Sequence, residues 1–457
     1  MNEKENKMSV MPVNKLMISM GIPMILSMML QAVYNIVDSI FVGSMPENGE
    51  QVLNALTLAF PVQMLMVAVG IGTGVGTGAV ISMRLGQKNQ KQASAAAGNA
   101  FFLGGIIYLA FLLFGILGVS AYIDSQTQNN QISEMAVGYL KICCILSFGI
   151  VFFSIFEKLL QATGKSIYST VAQITGAVIN IILDPLLIYG WFGFPTLGVQ
   201  GAAYATVFGQ IASMVLAAFF HFKKNTEIKN GLSYLKPSTQ IIKKIYSIGL
   251  PAIIAQALMS VMTYGLNRIL VQIDETVVTA YGLFYKIQQF ILFAAFGLRD
   301  TITPIVSFNY GKRDAKRIGS GIKYGLCYTL GIMAAGTIFL EIFATYISSL
   351  FGLTGNTQEI FVSTMRIISV SFVFAGANIA FQGIFQALEA GLESLVISIC
   401  RQFLFVLPVA WCLSKIAVKN MEMTWIVWLT FIIAEGISCI ISVIFMRRIK
   451  RKKINHE

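Results

Sequence analysis

The chain has 457 residues, of which 56% are hydrophobic and 12% are charged, and its mean hydropathy is +0.72. Soluble domains carry about 25% charged residues, so this composition predicts a polytopic membrane protein and excludes an ordinary soluble enzyme. The formal net charge of +12 is spread over short gaps between apolar runs and forms no basic face. Binding to nucleic acid is therefore not expected.

The sequence lacks the residue sets of several enzyme classes. Only two histidines are present, His221 and His456, which argues against zinc hydrolase chemistry. The glycine run Gly70–Gly78 lacks the spacing and the lysine of a phosphate-binding loop, and its glycines favour close helix packing. No paired nucleophile and base is recognisable, so neither an enzyme nor a cofactor is expected. The cysteines have no metal-site or disulfide spacing and are interpreted as packing residues: Cys143, Cys144, Cys327, Cys400, Cys412 and Cys439.

Long apolar runs follow one another along the whole chain. A bilayer span needs roughly 20 such residues. Taken in chain order, the runs predict twelve spans, at about 16–43, 51–80, 93–121, 132–162, 166–190, 199–222, 243–271, 276–308, 316–350, 357–388, 393–418 and 422–446. The fold class is thus an all-α integral membrane protein, with the lipid bilayer as its constant partner.

The gaps between the runs alternate in charge. One set is basic and holds Arg84, Lys88, Lys91, Lys165, Lys223, Lys224, Lys229, Lys236, Lys312, Arg313, Lys316, Arg317 and the tail Arg447–Lys453. The other is mainly acidic and holds Glu47, Glu50, Asp124, Asp274, Glu275 and Glu359, with Lys415 and Lys419 as exceptions. The positive-inside rule therefore predicts a multi-pass protein of the cell (inner or plasma) membrane with both termini in the cytoplasm.

The sequence matches itself when it is shifted by 225 residues. The shift aligns Gly86 with Gly311, Lys88 with Arg313, Lys91 with Lys316, Gln161 with Gln386 and Gln210 with Glu435. It predicts an N-terminal six-helix lobe (1–222), a cytoplasmic linker (223–240), a C-terminal six-helix lobe (241–446) and a basic cytoplasmic tail (447–457). Because each lobe has an even number of spans, both lobes insert in the membrane in the same orientation. A pseudo-two-fold axis along the membrane normal is therefore expected to relate the two bundles. A cavity is expected between them, with alternating access from the two sides of the membrane.

One carboxylate stands out within the apolar run Gly176–Gly190. Asp184 lies one helical turn after Asn180, and Pro185 follows it directly. Proline gives no N–H to the carbonyl four residues before it, which favours a bend and frees an acceptor. A carboxylate inside a span is costly unless it meets water, a proton, a cation or a partner. Asp184 is therefore a candidate functional residue.

Asp38 is predicted to lie at a matching depth. It precedes Gly43 by five residues, as Asp184 precedes Gly190 by six. At 1.5 Å per residue, both carboxylates sit roughly 8–9 Å below the outer ends of their spans, and Thr206 on the next span reaches a similar depth. Two carboxylates in a poorly hydrated pocket do not both ionise easily. Together with the Asn and Thr oxygens they are suited to take up a proton or Na⁺.

The second half has no equivalent pair of carboxylates. Leu266–Arg268 and Val409 stand at the places that correspond to Asp38 and Asp184. The neighbours Arg299–Asp300 are candidates for an ion pair within the span. The cation or proton site is therefore assigned to the first half alone. Further candidates for lining the cavity are Tyr34, Asn35, Lys286 and Glu435.

The sequence resembles the multidrug and toxic-compound extrusion (MATE) family, in its bacterial MepA/DinF-like branch. The resemblance covers essentially the whole chain and rests on Pro23, Asp38, RLGQKN after span 2, LQATGK at Leu160–Lys165, NIILDPLLIYG in span 5 and GAAYAT at Gly201–Thr206. It implies V-shaped lobes and export of amphipathic, often cationic compounds in exchange for a cation. It also implies that the coupling site is formed by Asp38, Asn180, Asp184 and Thr206. Some members have a carboxylate in span 7, but here that span holds Gln256 and Met259 without an acid, which argues against a second-lobe Na⁺ site.

Two alternatives stay open from the sequence. The coupling ion is H⁺ or Na⁺, since carboxylates serve both, and Na⁺ at Asp38 and Asp184 is the one metal ion that the residues suggest. The rival function is a flippase for lipids or lipid-linked oligosaccharides, which would favour a more cationic cavity and directs attention to Lys286, Arg299 and Arg401. The protein is expected to act as a monomer.

Overall fold

The computed structural model describes residues 6–45 and 49–454, without the side chains of Asn35, Ile36, Ser39, Glu50 and Leu53. Glu47 and His456, both named from the sequence, lie outside these ranges. The described chain is almost entirely helical. Ten of its helices are long and apolar enough to cross a bilayer, and the number becomes twelve when each of two bent pairs is one span. The predicted all-helical fold with twelve spans is confirmed for the described residues.

The helices of the first half follow closely after one another. They are α1 (Lys7–Val10), α2 (Val13–Gly43), α3 (Gly49–Gly86), α4 (Gln90–Leu113), α5 (Val119–Asp124), α6 (Asn130–Ile145), α7 (Phe148–Ala162), α8 (Ser166–Tyr189) and α9 (Val199–Lys224). One π-helical turn, Phe114–Gly118, joins α4 to α5. Asn89 and Asn129 cap the starts of α4 and α6 by accepting backbone N–H groups that have no partner within the helix.

The second half repeats this order. Its helices are α10 (Thr239–Leu270), α11 (Glu275–Gly311), α12 (Ala315–Leu350), α13 (Gly355–Val370), α14 (Phe372–Ala387), α15 (Gly391–Ile399), α16 (Val406–Lys419) and α17 (Trp425–Ile449). A π-helical turn, Cys400–Leu404, connects α15 to α16. Asp274 and Asp314 cap α11 and α12.

Two predicted spans are bent pairs of helices. The span predicted at 132–162 consists of α6 and α7, which meet at 44°, and that at 357–388 consists of α13 and α14, which meet at 47°. At the second break the hydroxyl of Ser371 donates to the carbonyl of Ile368 over 2.7 Å. Serine competes in this way with the regular backbone ladder and favours a bend.

The helix bounds carry the sequence repeat into the structure. Helix α13 begins and ends 225 residues after α6 does. The last residues of α3 and α11 are also 225 residues apart, and so are the last residues of α7 and α14. The turns that follow α3 and α11 also agree, because Lys88 and Arg313 both adopt the left-handed conformation, with φ of 57° and 59°. Few side chains other than glycine take this conformation. The two halves therefore share a backbone plan.

The described residues form two compact units. One comprises the residues up to Val10 and Leu26–Ile253, and the other comprises Met11–Ile25 and the chain from Ile254 onward. The predicted N-terminal lobe (1–222) keeps α2 whole, and the predicted C-terminal lobe (241–446) keeps all of α10 except its first two residues, whereas the compact units divide both helices. A sequence repeat records where the chain repeats, not which helix segments pack together.

Each unit has its own apolar core. In the first unit the cores include Tyr139 and Leu140 on α6, and Leu159 and Leu160 on α7. In the second unit the core is built around large side chains from α11, α13, α14 and α17, among them Phe284, Phe361, Phe372 and Trp428. The acidic site and the cavity described next both belong to the first unit.

Candidate functional site

Asp184 is a buried carboxylate that lacks a full set of partners. It is fully inaccessible on α8, and Asn180, one turn earlier, is only 3% exposed. Asn180 Nδ2 donates to Asp184 Oδ1 over 3.4 Å, which is long for such a bond. Among the residues that the structure describes, neither Asp184 Oδ2 nor Asn180 Oδ1 has a hydrogen-bond partner. Two buried acceptor oxygens on one helix face therefore remain available for a proton or a cation.

Asp38 brings a third such oxygen from α2. Its Oδ1 is buried and finds no hydrogen-bond partner within the described part of the chain, and its carboxylate lies within electrostatic range of Asp184. Tyr34, one turn earlier on α2, lies within range of both carboxylates. The structure thus places the Asp38 carboxylate close enough to Asp184 for the two charges to repel each other.

Close packing of α8 against α9 fixes the far side of the site. A Cβ on Gly176 would come within 1.8 Å of the hydroxyl of Ser213, and one on Gly209 within 2.7 Å of the carbonyl of Gly176. Only glycine permits this approach of the two backbones. Thr206 lies one turn before Gly209 and is half-buried. The glycines therefore hold Thr206 opposite the Asn180 face of α8.

A cavity of about 70 Å³ lies beside these residues within the first unit. Since one water needs only about 10–15 Å³ on this measure, the space has room for several waters. Tyr34, Asn180 and Thr206 are on its wall, whereas Asp38 and Asp184 are not. Asn180 therefore lies between the cavity and Asp184 and contacts both. The remaining polar wall includes Gln31, Ser154, Glu157, Lys158, Gln173 and Gln210.

The sequence reasoning missed a buried charged cluster on this wall. Glu157 and Lys158 on α7 are 6% and 4% exposed. Gln161 connects them, because its Nε2 donates to Glu157 Oε1 and its Oε1 accepts from Lys158 Nζ, each over 3.0 Å. Lys158 Nζ is 3.9 Å from the Glu157 carboxylate. The signal was available, since both charges interrupt the apolar run of the fourth span.

A second group that the sequence did not reveal lies near Asp38. Gln63 on α3 donates from Nε2 to the hydroxyl of Tyr139 over 3.0 Å and approaches the sulfur of Cys143 at 3.6 Å. Tyr139 and Cys143 both lie within electrostatic range of Asp38. A glutamine, a tyrosine and a cysteine from separate helices form no sequence pattern, so only packing reveals them.

The candidates outside the acidic site are placed differently. Lys286 is exposed on α11, and the side chain of Asn35 lies outside the described part of the chain. Glu435 is buried and forms an ion pair with Arg401, with 2.7 Å between Oε1 and Nη2. Arg299 and Asp300 pair over 2.9 Å, as the sequence suggested.

The donor set suits a monovalent ion better than a resident transition metal. Within the described ranges, no group of three or more His, Cys, Asp or Glu side chains is arranged to hold a metal ion. The available ligands are carboxylate and amide oxygens, which are the ligands of hard cations. Chemically, the arrangement accepts either a proton on a carboxylate or a small cation among the oxygens of Asp38, Asn180 and Asp184.

Comparisons with known proteins agree with this architecture. The sequence model of the family described as MatE matches residues 23–186 and 251–412. A "Multidrug export protein MepA" of Staphylococcus saprophyticus is 24% identical over 433 residues, which cover 94% of this chain and 92% of that protein. Its namesake in Staphylococcus haemolyticus is 24% identical over 452 residues, which cover 96% and 94%.

Solved structures share the fold over the full length. An outward-facing MATE family transporter of the MOP superfamily has a TM-score of 0.91 at 23% identity, covering 99% of this chain and 100% of that one. A MOP superfamily transporter from Pyrococcus furiosus, whose binding pocket is described as having reverse polarity, has a TM-score of 0.88 at 25% identity, covering 98% and 99%.

Proposed function

Because the chain belongs to the MatE family, we propose that it is a secondary active multidrug efflux antiporter. It exports amphipathic, often cationic compounds in exchange for H⁺ or Na⁺ by alternating access. The observation that carries this proposal is the buried, incompletely paired Asp184 beside Asp38 and a polar cavity. Support also comes from relatives that align over more than nine-tenths of the chain and are named multidrug export proteins.

The coupling is proposed to pass through Asn180. Binding of a proton or Na⁺ at Asp184 and Asp38 neutralises charge and removes the repulsion between the two carboxylates. The amide of Asn180, which donates to Asp184, is then free to turn. Because Asn180 also forms part of the cavity wall, the ion changes the surface that a drug contacts.

The chain is a multi-pass membrane protein. We place it in the cell membrane as a monomer, with both termini in the cytoplasm, because the basic gaps and the basic tail would then share one side. Its proposed action moves compounds without a catalytic step, and the only bound ion it needs is the coupling cation.

Neutral substitutions at the two carboxylates test the proposal. Asp38→Asn and Asp184→Asn should each lower ion-driven ethidium efflux from proteoliposomes by about 5- to 150-fold, the range of typical coupling free energies. Ethidium efflux from wild-type proteoliposomes is also measured under a pH gradient without Na⁺ and then under a Na⁺ gradient at constant pH. The gradient that drives efflux identifies the coupling ion.

Asp124→Asn is the matched control. Asp124 is exposed at the end of α5 and accepts a hydrogen bond from Ser133 over 2.7 Å, so this change should leave efflux and melting temperature unaltered. Wild-type efflux in either the Asp38 or the Asp184 variant would refute the assigned site.

The flippase alternative called for a cationic cavity. Two of its three key residues, Arg299 and Arg401, are instead engaged in ion pairs with Asp300 and Glu435. Neutralised guanidinium groups offer little attraction for a pyrophosphate. These pairs therefore favour drug export over the flippase activity.

A further inference from the structure

A buried polar network runs through the second unit around Glu435 on α17. Arg401 donates to its carboxylate three times, from Nη2 to Oε1 over 2.7 Å and from Nε to Oε1 and Oε2 over 3.0 and 3.1 Å. Asn378 Nδ2 donates to Oε2 over 2.8 Å, and Ser442 donates to Asn378 Oδ1 over 2.9 Å. Arg401 and Glu435 are only 6% and 8% exposed.

The repeat places this network where the first unit has its cavity. Six residues on the cavity wall are followed, 225 residues later, by six buried polar residues of the second unit. The first set is Phe153, Glu157, Gln173, Gly176, Gln210 and Ser213. The second set, in the same order, is Asn378, Gln382, Ser398, Arg401, Glu435 and Ser438.

The largest difference between the two sets is at Gly176 and Arg401. Gly176 has no side chain and allows α8 to touch α9. Arg401 has one of the longest side chains and lies on the π-helical turn Cys400–Leu404. Single π turns are frequent at functional sites because they redirect side chains. Here the turn carries the guanidinium that reaches Glu435.

We propose that the guanidinium of Arg401 fills the space in the second unit that corresponds, by the repeat, to the cavity of the first unit, and that it serves there as a permanent cation for Glu435. Removing its side chain leaves a buried carboxylate site, around Glu435 and Asn378, that binds small guanidinium compounds. The planar guanidinium matches a carboxylate through two parallel hydrogen bonds, so a free guanidinium is the ligand that the vacated site fits best. In the intact protein, Arg401 thereby keeps organic cations out of the second unit.

Three full-length variants distinguish the effect of the space left by the Arg401 side chain from the effect of the Glu435 charge. Arg401→Ala opens the space and keeps the carboxylate, Arg401→Met keeps the space filled, and Arg401→Ala/Glu435→Gln opens the space and removes the charge. Each purified protein is titrated with ethylguanidinium chloride, and binding is followed by melting temperature and calorimetry. Ethylammonium chloride serves as the salt control, since it has the charge without the planar fork.

Ethylguanidinium should bind Arg401→Ala at least about tenfold more tightly than it binds the other two variants or the wild type, as expected for hydrogen bonds to a charged group. Equal binding to Arg401→Ala and to the double variant would overturn the proposal, as would no binding to a folded Arg401→Ala protein.

Folding itself supplies a second readout, because a buried charge that loses its partner is strongly destabilising. If Arg401→Ala alone does not fold while the double variant does, the yield of monodisperse protein is measured from cells grown with ethylguanidinium. Recovery supports the proposal, and failure to recover overturns it. Neither experiment depends on drug efflux, so its result is distinguishable from a failure of the proposed antiport.

Discussion

Gly176 shows how much the acidic site depends on a single missing side chain. A Cβ at this position would meet Ser213 Oγ at 1.8 Å and the carbonyl of Gly209 at 2.4 Å. Gly176→Ala should therefore destabilise the protein by about 1–3 kcal/mol, the usual cost of overpacking. It should also slow efflux, since it moves α9 and Thr206 away from Asn180. Melting temperature and ethidium efflux check the two effects.

Gly105 on α4 provides the comparison for this change. A Cβ there meets nothing within 4 Å, so Gly105→Ala should be neutral or stabilising by about 0.5–1 kcal/mol, because alanine restricts the unfolded chain. If Gly176→Ala melts at or above the wild-type temperature, the helices do not depend on this contact.

The same scale shows what the sequence can and cannot reveal about the site. Asp38 and Asp184 were recognisable because an isolated carboxylate in an apolar span is costly wherever it lies. Glu157 and Lys158 are also charged, but their position on the cavity wall depends on which face of α7 packs inward. That orientation is set by neighbouring helices and is absent from any local pattern.

At the scale of elements, the segment between α9 and α10 behaves differently from a free linker. Its backbone is held on α4, where Ser94 Oγ accepts from Lys229 N over 2.8 Å and Asn99 Oδ1 accepts from Ser238 N over 2.7 Å. Asn99 Nδ2 also donates to the carbonyl of Lys236 over 3.3 Å. The segment predicted from its polarity as a linker thus packs on the first unit.

Removing one of these anchors should expose the segment to protease. Lys229 is exposed, so trypsin reaches it whenever the backbone around it opens. Asn99→Ala removes about 1 kcal/mol per hydrogen bond and should raise the rate of cleavage after Lys229 about fivefold or more. The fragments are followed by gel electrophoresis and mass spectrometry.

Ser320→Ala is a suitable control, since the hydroxyl of Ser320 on α12 donates to the carbonyl of Lys316 in its own helix and its loss should not alter cleavage. If Asn99→Ala and the wild type are cut at equal rates, the anchors do not restrain the segment.

Helix bounds were largely accessible from apolar run length, but the breaks were not. Ser371 lies in a continuous apolar run, and its hydroxyl bends the chain only because it finds the carbonyl of Ile368. Many serines in spans make no bend. The choice between a straight and a broken helix is therefore decided by packing, which the sequence does not state.

At the scale of the whole molecule, the two halves of the chain share the order and bounds of many helices but differ in the polar side chains that these helices carry. Matching helix bounds and the matched turns at Lys88 and Arg313 were visible in the repeat. The exchange of helix segments between the compact units was not, because it depends on long-range packing. The acidic site lies in one unit, and in the other unit an internal ion pair stands at the positions that correspond to the cavity wall beside that site.

The distribution of charge over the molecule predicts its orientation. The segment after α9 carries Lys229 and Lys236, and the end of α5 carries Asp124, so the first should face the cytoplasm and the second the exterior. With the native cysteines replaced, a cysteine at Ser233 should resist a membrane-impermeant maleimide in intact cells. One at Gln128 should react, since both positions are exposed and the bilayer alone distinguishes them. Permeabilised cells should label both, and preferential labelling at Ser233 in intact cells would invert the topology and with it the direction of the proposed ion flow.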